Sequence, residues 1–271
     1  MEINVDFNKL TLEEKINFSK QVIKEAFDRY DIYKMAVAIT GGKDSTLTLW
    51  LVREVCDELS IHLPKCIFID EGDEFEKILK FVKDLEKKWN LDLIWLKNED
   101  VLKNIKNGNI VFVKSLSKEN QEALKEIGFK EPYFVFQAES YIGTHLMKII
   151  PLKKFIIENA IQALITGVRW DEQEARRGEK FFSPRNEPEH MRVHPILHFT
   201  ERDVWNTIHK YKIPYCPLYK LGYRSLGAKS TTKKVADIPA WEQDLENTSE
   251  RAGRLQQKEK IMASLRELGY M

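Results

Sequence analysis

An α/β fold is predicted for this chain: a parallel sheet flanked by helices, closed by a helical C-terminal tail. Three observations predict it. Short apolar runs of strand type alternate with amphipathic runs of helical period. The first apolar run passes through a glycine pair directly into a helix, the strand-turn-helix unit of a βαβ crossover. The chain has 271 residues, 43% hydrophobic and 31% charged, an ordinary soluble globular composition that can bury a large core.

The elements follow in order. Over 11–30, Leu12, Ile16, Phe18, Val22, Ile23, Ala26 and Phe27 fall mostly on one helical face, and Thr11 and Glu14 stand at capping-box spacing. "KMAVAIT" is a buried-strand pattern, and "STLTLWLVREVCDEL" is a helix expected to start near Ser45. The unit then repeats with "PKCIFID" as a strand, "DEFEKILKFVKDLEKKWN" as an amphipathic helix and "LDLIWLK" as a further strand. Between Asn98 and Tyr133 the pattern weakens, and "VKSLSKENQEALKEIGF" reads as an inserted helix. "GTHLMKIIPLKKFIIENA" is helical with a break expected near Pro151, and "IQALITGV" is another buried strand. Residues 170–190, charged and interrupted by Pro184 and Pro188, read as a loop over one edge. A capped helix begins at Thr200, and "SERAGRLQQKEKIMASLRELGY" reads as the helical tail.

Composition excludes several classes. Forty-three Lys and Arg against forty-two Asp and Glu leave a net charge of +1, so no global field recruits nucleic acid or anionic lipid. The acidic N-terminus has no signal-peptide core, and no run approaches the roughly 20 apolar residues of a membrane span. Three scattered cysteines, Cys56, Cys66 and Cys216, form neither a disulfide framework nor a compact metal cluster, which fits a reducing cytoplasm.

The chemistry concentrates in "ITGGKDS". In open α/β sheets ligands bind at the carboxyl ends of strands, where a helix N-terminus offers unpaired N–H groups and a positive dipole end to phosphate. Gly41 and Gly42 allow close backbone approach, the hydroxyls of Thr40 and Ser45 can donate to phosphate oxygens, and Lys43 adds charge. The spacing is neither that of a Walker A loop nor G-x-G-x-x-G.

"TGGKDS" after a first strand resembles the PP-loop, S-G-G-x-D-S, of the adenine-nucleotide α-hydrolase superfamily, whose members cleave ATP between the α and β phosphates. Further along, "ITGVRWDEQEARR", "FFSPR" and "MRVHPILHFTERDVW" resemble the motif order of the phosphoadenylyl-sulfate reductase and sulfate adenylyltransferase small-subunit family. "IPYCPLY", "GYRSLG", "TSERAGR" and "LRELGY" continue the likeness from about Lys34 to the C-terminus, and the last two look most like the small subunit of bacterial sulfate adenylyltransferase. The insertions that subunit carries before "MRV" and before "GYRS" are absent.

The resemblance implies a PP-loop, Rossmann-like domain over 34–215, preceded by the N-terminal helix at 1–33 and followed by a site-covering segment and tail at 216–271. It implies ATP as cofactor, with Ala38, Thr40, Gly41, Gly42, Lys43, Asp44, Ser45, Gly167 and Arg169 around the nucleotide and Asp44 as ligand to Mg²⁺. Asp70, at the end of the second strand, stands where such folds read a ribose, with Glu71 and Asp73 beside it. Guanidinium groups clamp phosphate or sulfate bidentately, and Lys43, Arg169, Arg185 and Arg192 are the candidate catalytic cations. Arg176, Arg177, His194 and Arg224 are candidate contacts to the acceptor, although about half of the arginines are expected in solvated surface pairs. His190, His194 and His198 recur at an interval of four, but Pro195 interrupts any helix and no metal motif accompanies them.

Reductases of the resembled family place cysteines near "SLGAKSTT" or in a C-terminal tail, because reduction needs a thiolate. Here Ala228 and Ser230 stand in those places. The expected reaction is therefore adenylyl transfer: an oxyanion attacks the α-phosphorus of ATP and pyrophosphate leaves. Sulfate is the expected acceptor, with a GTPase large subunit or a second copy of the chain as possible partner. FMN as acceptor, a reductase, a pyrophosphatase serving sulfur insertion and a non-catalytic nucleotide-binding module are the alternatives.

Overall fold

A computed structural model describes residues 6–254; of the helical tail expected over 249–270, residues 249–254 form turns and no helix, and the rest lies outside the described residues. The chain opens with α1 (Leu12–Arg29), whose Thr11 and Glu14 form the capping box and whose Ile16, Val22, Ile23 and Ala26 are buried. The first crossover is β1 (Met35–Ile39) and α2 (Lys43–Leu59), the second β2 (Lys65–Asp70) and α3 (Glu76–Trp89), ending in β3 (Leu93–Lys97). The helix after the glycines starts at Lys43, two residues before the expected Ser45, because Gly42 itself takes the cap position.

The six-stranded sheet has the order β3-β2-β1-β6-β8-β7, where β6 is Ala163–Ile165, β7 Phe182–Asn186 and β8 Glu189–Val193. All neighbours are parallel except β7 and β8. Strand order turns outward in both directions from β1, so the loop after β1 sits at the topological switch point where such sheets bind ligands. Along β1, Val37 and Ile39 face the large core shared with α1, α2 and α3, while Ala36 faces Leu152, Phe155 and Ile156 of α7 (Ile150–Glu158). Full burial of each of these larger side chains contributes about 1.5–3 kcal/mol, so both faces anchor the strand that carries the loop.

Two regions differ from the sequence reading. The segment 170–190 is not simply a loop: Phe182–Asn186 and Glu189–Val193 form an antiparallel hairpin at the sheet edge. β7 tolerates Pro184 because an edge strand has one side with no ladder bond to lose. Nor does the helix break at Pro151. The backbone runs from α6 (Tyr141–Thr144) through a π turn at His145–Ile149 into α7, and Pro151 sits in the first turn of α7, where its missing N–H is tolerated.

Between β3 and α6 lies the insertion: α4 (Glu99–Lys103), the expected helix α5 (Lys118–Glu126), and a hairpin of β4 (Ile110–Phe112) and β5 (Tyr133–Val135). It has its own apolar cluster around Val111, Leu124, Phe134 and Leu146. The capped helix α8 (Glu201–Lys210) carries a second capping box, Thr200 with Asp203. Among the described residues no helix is long and apolar enough to cross a membrane.

Candidate active site

The loop between β1 and α2 is held by its own hydroxyls and by glycine contacts. Thr40 N–H donates to Ser45 Oγ at 3.1 Å, and Ser45 Oγ lies 3.1 Å from Thr40 Oγ1 and 3.0 Å from Gly42 O. Gly41 has φ +73°, and a Cβ there would lie 2.8 Å from Ile78 Cγ2. Gly167, two residues past β6, is constrained by space alone: its Cβ would meet the backbone carbon of Asp44 at 2.7 Å and the Ser45 nitrogen at 2.8 Å. The loop after β1 and the end of β6 are thus pressed together through a glycine. The Tyr219 hydroxyl accepts from Lys43 N–H at 2.8 Å.

Below this loop lies a buried charge cluster. Lys43 (1% exposed) and Arg169 (0%) share two carboxylates. Asp44 accepts from Arg169 Nε at 2.6 Å and from Lys43 Nζ at 3.1 Å. Glu250 accepts from Lys43 Nζ at 2.5 Å through one oxygen and from Arg169 Nη2 through the other. Asp171 receives Arg169 Nη1 at 2.5 Å. Burial opposes the charge on Lys43, but Asp44, Glu250 and Glu201 outweigh it and hold the ammonium above its ordinary value. Burial likewise pushes the Glu250 carboxyl up, and Arg169 and Lys43 overcome it to pull the group down to about 2. Glu201 moves the other way: burial, joined by the neighbouring Glu250 charge, raises it against Lys43 and Arg224. Its Oε1 has no hydrogen-bond partner and lies 3.9 Å from Lys43 Nζ.

Above the cluster opens a cavity of about 240 Å³ over the carboxyl ends of β1, β2 and β6. Its apolar lining includes Ala38, Ile69, Leu152 and Leu164. At one end Glu71 pairs with Lys148 at 2.5 Å, and neighbouring Glu74 is pushed up to about 8 by burial and by the Glu71 charge. The segment from Ser249 to Arg254 forms a strap across the opening. Beyond Glu250, Arg251 donates to Glu172 at 3.0 Å, and Arg254 pairs with Glu139 beside Gly227.

The residues singled out in the sequence separate into groups. Ala38, Thr40, Gly42, Lys43, Asp44, Ser45, Gly167, Arg176 and Arg192 line the cavity. Arg169 lies beneath it as the hub of the charge cluster, and Gly41 packs on α3. Arg192 Nε donates to His190 Nε2 at 3.1 Å, and Arg185 grips Glu179 with two 3.1 Å bonds. Arg224 is buried, pairing with Glu201 at 2.8 Å and donating to the carbonyls of Asp244, Leu245 and Thr248, so it secures the base of the strap. Arg177 is a surface residue, 70% exposed beside Glu174. Asp70 accepts from Gly72 N–H at 2.9 Å and pairs with Lys97 at 2.9 Å; the carboxylates lining the cavity beyond β2 belong instead to Glu71 and Glu74. His194 is fully buried behind Thr166.

The strap residues Glu250, Arg251 and Arg254 and the carboxylates Glu139 and Glu172 were missed as site residues. For Glu250, Arg251 and Arg254 the signal is present in "TSERAGR", part of which the sequence assigns to the helical tail. Among the described residues no group of three or more His, Cys, Asp or Glu could hold a metal ion; Asp44 lies at the loop with its two oxygens on Arg169 and Lys43. All three cysteines are buried, and burial pushes the thiols of Cys56 and Cys66 up to about 12 and that of Cys216 to about 11. None of them lines the cavity.

The profile of the phosphoadenosine phosphosulfate reductase domain matches residues 34–234. An adenosine 5'-phosphosulfate reductase of Bacillus cereus (strain B4264) is 34% identical over 226 residues, covering 83% of this chain and 84% of the relative. Among solved structures, the Candida glabrata FMN adenylyltransferase superposes with a TM-score of 0.65 at 18% identity, over 90% of this chain and 87% of the other. The phosphoadenylyl-sulfate reductase of Candida auris gives 0.58 at 16% identity, over 86% and 100%. At these identities the two structures share the fold.

Proposed function

The chain belongs to the phosphoadenosine phosphosulfate reductase domain family, and from that premise we propose that it is an enzyme that binds ATP and transfers its adenylyl group to an oxyanion, releasing pyrophosphate. The observation that carries this reading is the thiol-free cavity. Ala228 lines it, Ser230 is turned to Asp73, and all three cysteines lie buried elsewhere with their thiols held protonated. A thiol with a pKa near 11 is almost wholly protonated at neutral pH and is no nucleophile. Adenylyl transfer requires no electron donor.

The rest of the site supports the same chemistry. The helix α2 directs its N-terminus at the loop, and Lys43 borders the cavity where pyrophosphate would leave, with Arg169 behind it holding Asp44 and Glu250. Ala38, Ile69 and Leu164 offer an apolar slot for a base. Arg176 and Arg192, on the cavity wall, suit a small anionic acceptor such as sulfate or the phosphate of FMN. Magnesium is usually held by one or two carboxylates together with substrate phosphates, and Asp44 fits the single-carboxylate role. Bound there it would neutralise charge on the departing pyrophosphate.

Reductive cleavage of an adenylyl sulfate is the second reading, favoured by the reductase name of the Bacillus relatives. It shares the nucleotide and needs a thiol brought by another molecule. Pyrophosphate release from ATP, assayed with sulfate and with FMN, should be stimulated by the true acceptor. Sulfite release from adenylyl sulfate with a thiol donor, and no acceptor-dependent pyrophosphate, would replace adenylyl transfer by the reductase reading. A GTPase large subunit enters the same assay as an added component.

A further inference from the structure

The β6 wall of the cavity presents a hydroxyl backed by two buried groups that adenylyl transfer, as described, does not employ. Thr166 lines the cavity and is 8% exposed. Its Oγ1 lies 2.7 Å from Nδ1 of His194, a fully buried ring. The other ring nitrogen, Nε2, lies 3.5 Å from Oε2 of Glu179. That carboxylate is itself buried and fixed by the two 3.1 Å bonds from Arg185.

This arrangement decides where the protons sit. Burial, reinforced by the charges of Arg192 and Arg185, keeps His194 neutral despite Glu179, with its pKa pushed down to about 4. A neutral imidazole has one N–H. Placed on Nδ1, it would leave the Nε2 lone pair facing a carboxylate in a desolvated setting, which is unfavourable. Placed on Nε2, which makes no hydrogen bond but stands 3.5 Å from the Glu179 carboxylate, it is favoured by that charge and leaves Nδ1 as an acceptor. The single hydroxyl proton of Thr166 is then committed to Nδ1, and only oxygen lone pairs face the cavity.

We propose that Glu179 and His194 orient the Thr166 hydroxyl as a hydrogen-bond acceptor, making Thr166 a specificity residue for a donor on the bound nucleoside, a ribose hydroxyl or the base amine. This rests on the nucleotide reading above. Glu179 and His194 are positioning residues in it, acting only through Thr166.

Calorimetric binding of ATP, 2'-deoxy-ATP, 3'-deoxy-ATP and purine riboside triphosphate to the wild type and to Thr166→Ser, Thr166→Val and Glu179→Gln tests it. The wild type should bind one of the three analogues about fivefold to tenfold more weakly than ATP, the effect of one hydrogen bond. Thr166→Ser should keep that ratio. Thr166→Val should lose it. Glu179→Gln should lose it too, because an amide N–H donated to Nε2 moves the ring proton to Nδ1 and turns the Thr166 proton into the cavity. If Thr166→Val does not fold, the Glu179→Gln and Thr166→Ser pair decides. Equal weakening of all four ligands in Thr166→Val, or a wild type that binds all four alike, overturns the inference and leaves the nucleotide reading standing. A wild type that binds none of them overturns both.

Discussion

Replacing Glu250 by alanine removes the carboxylate that bridges the two most buried cations of the site. Stranding a buried charge costs about 3–5 kcal/mol. Here neither cation is stranded completely: Lys43 keeps Asp44 at 3.1 Å and Glu201 at 3.9 Å, and Arg169 keeps Asp44 at 2.6 Å and Asp171 at 2.5 Å. The expected loss is therefore about 2–3 kcal/mol, below that range. For a chain of this size it lowers Tm by roughly 4–12 °C. The vacated space is bounded by two cations and is shaped for an anion. Pyrophosphate should stabilise the variant more than the wild type, which must first release Glu250, and at a hundredfold over its Kd it restores about 2.7 kcal/mol. Thermal denaturation with and without pyrophosphate reads both effects. A variant that melts within about 2 °C of the wild type, a shift worth less than about 1 kcal/mol, refutes the reasoning, as does equal stabilisation of the two proteins by pyrophosphate.

Other expectations follow from the same contacts. Gly167→Ala drives a Cβ to 2.7 Å from the Asp44 backbone; overpacking of about 1–3 kcal/mol should displace the loop and abolish ATP binding in calorimetry while the fold persists. Burial pushes His145, His190, His194 and His198 down to about 4 from 6.5, so each takes up its proton in the unfolded chain first. Stability is then complete above pH 6.5 and falls as pH drops towards 4, by at most about 5 kcal/mol per pH unit if all four contribute; urea midpoints unchanged between pH 7 and 5 would contradict it. The three thiols should resist an aromatic disulfide reagent at pH 8 until the protein is denatured. Cys216→Ser should leave acceptor-stimulated pyrophosphate release intact, whereas its loss would point to thiol chemistry.

The fold was legible where local rules and tertiary structure agree. The capping residues Thr11 and Thr200, the continuous apolar run of β1 and the glycines before α2 each act within a few residues. The π turn was not legible, because Pro151 predicts a helix disturbance without saying that a widened turn ending two residues earlier absorbs it. The β7–β8 hairpin was hidden by its prolines, which are unfavourable in a strand until its place at the edge is known. Short β4 and β5, three residues each, gave no alternating pattern long enough to read. At the site, the loop announced itself by composition. The arginines did not sort themselves: Arg169 and Arg177 lie eight residues apart in the chain, yet one is wholly enclosed by three carboxylates and the other is largely solvated. Only the folded chain shows which partner each finds.

The pairing of Lys43 with Glu250 spans 207 positions. During synthesis at about 5–20 residues per second, Lys43 is made roughly 10–40 s before the Glu250 carboxylate exists. Throughout that interval Lys43, bound for the interior, has Asp44 beside it but lacks the Glu250 carboxylate, and the crossover of β1 and α2 closes over it only at a penalty. Folding of this protein is therefore expected to finish at the loop after β1 instead of starting there, and a nascent chain halted before residue 250 should hold a formed sheet around an unfinished site. A polyphosphate anion supplied at that stage is expected to stand in for the missing carboxylate, so that an anion of this kind would act as a folding partner before the site is complete.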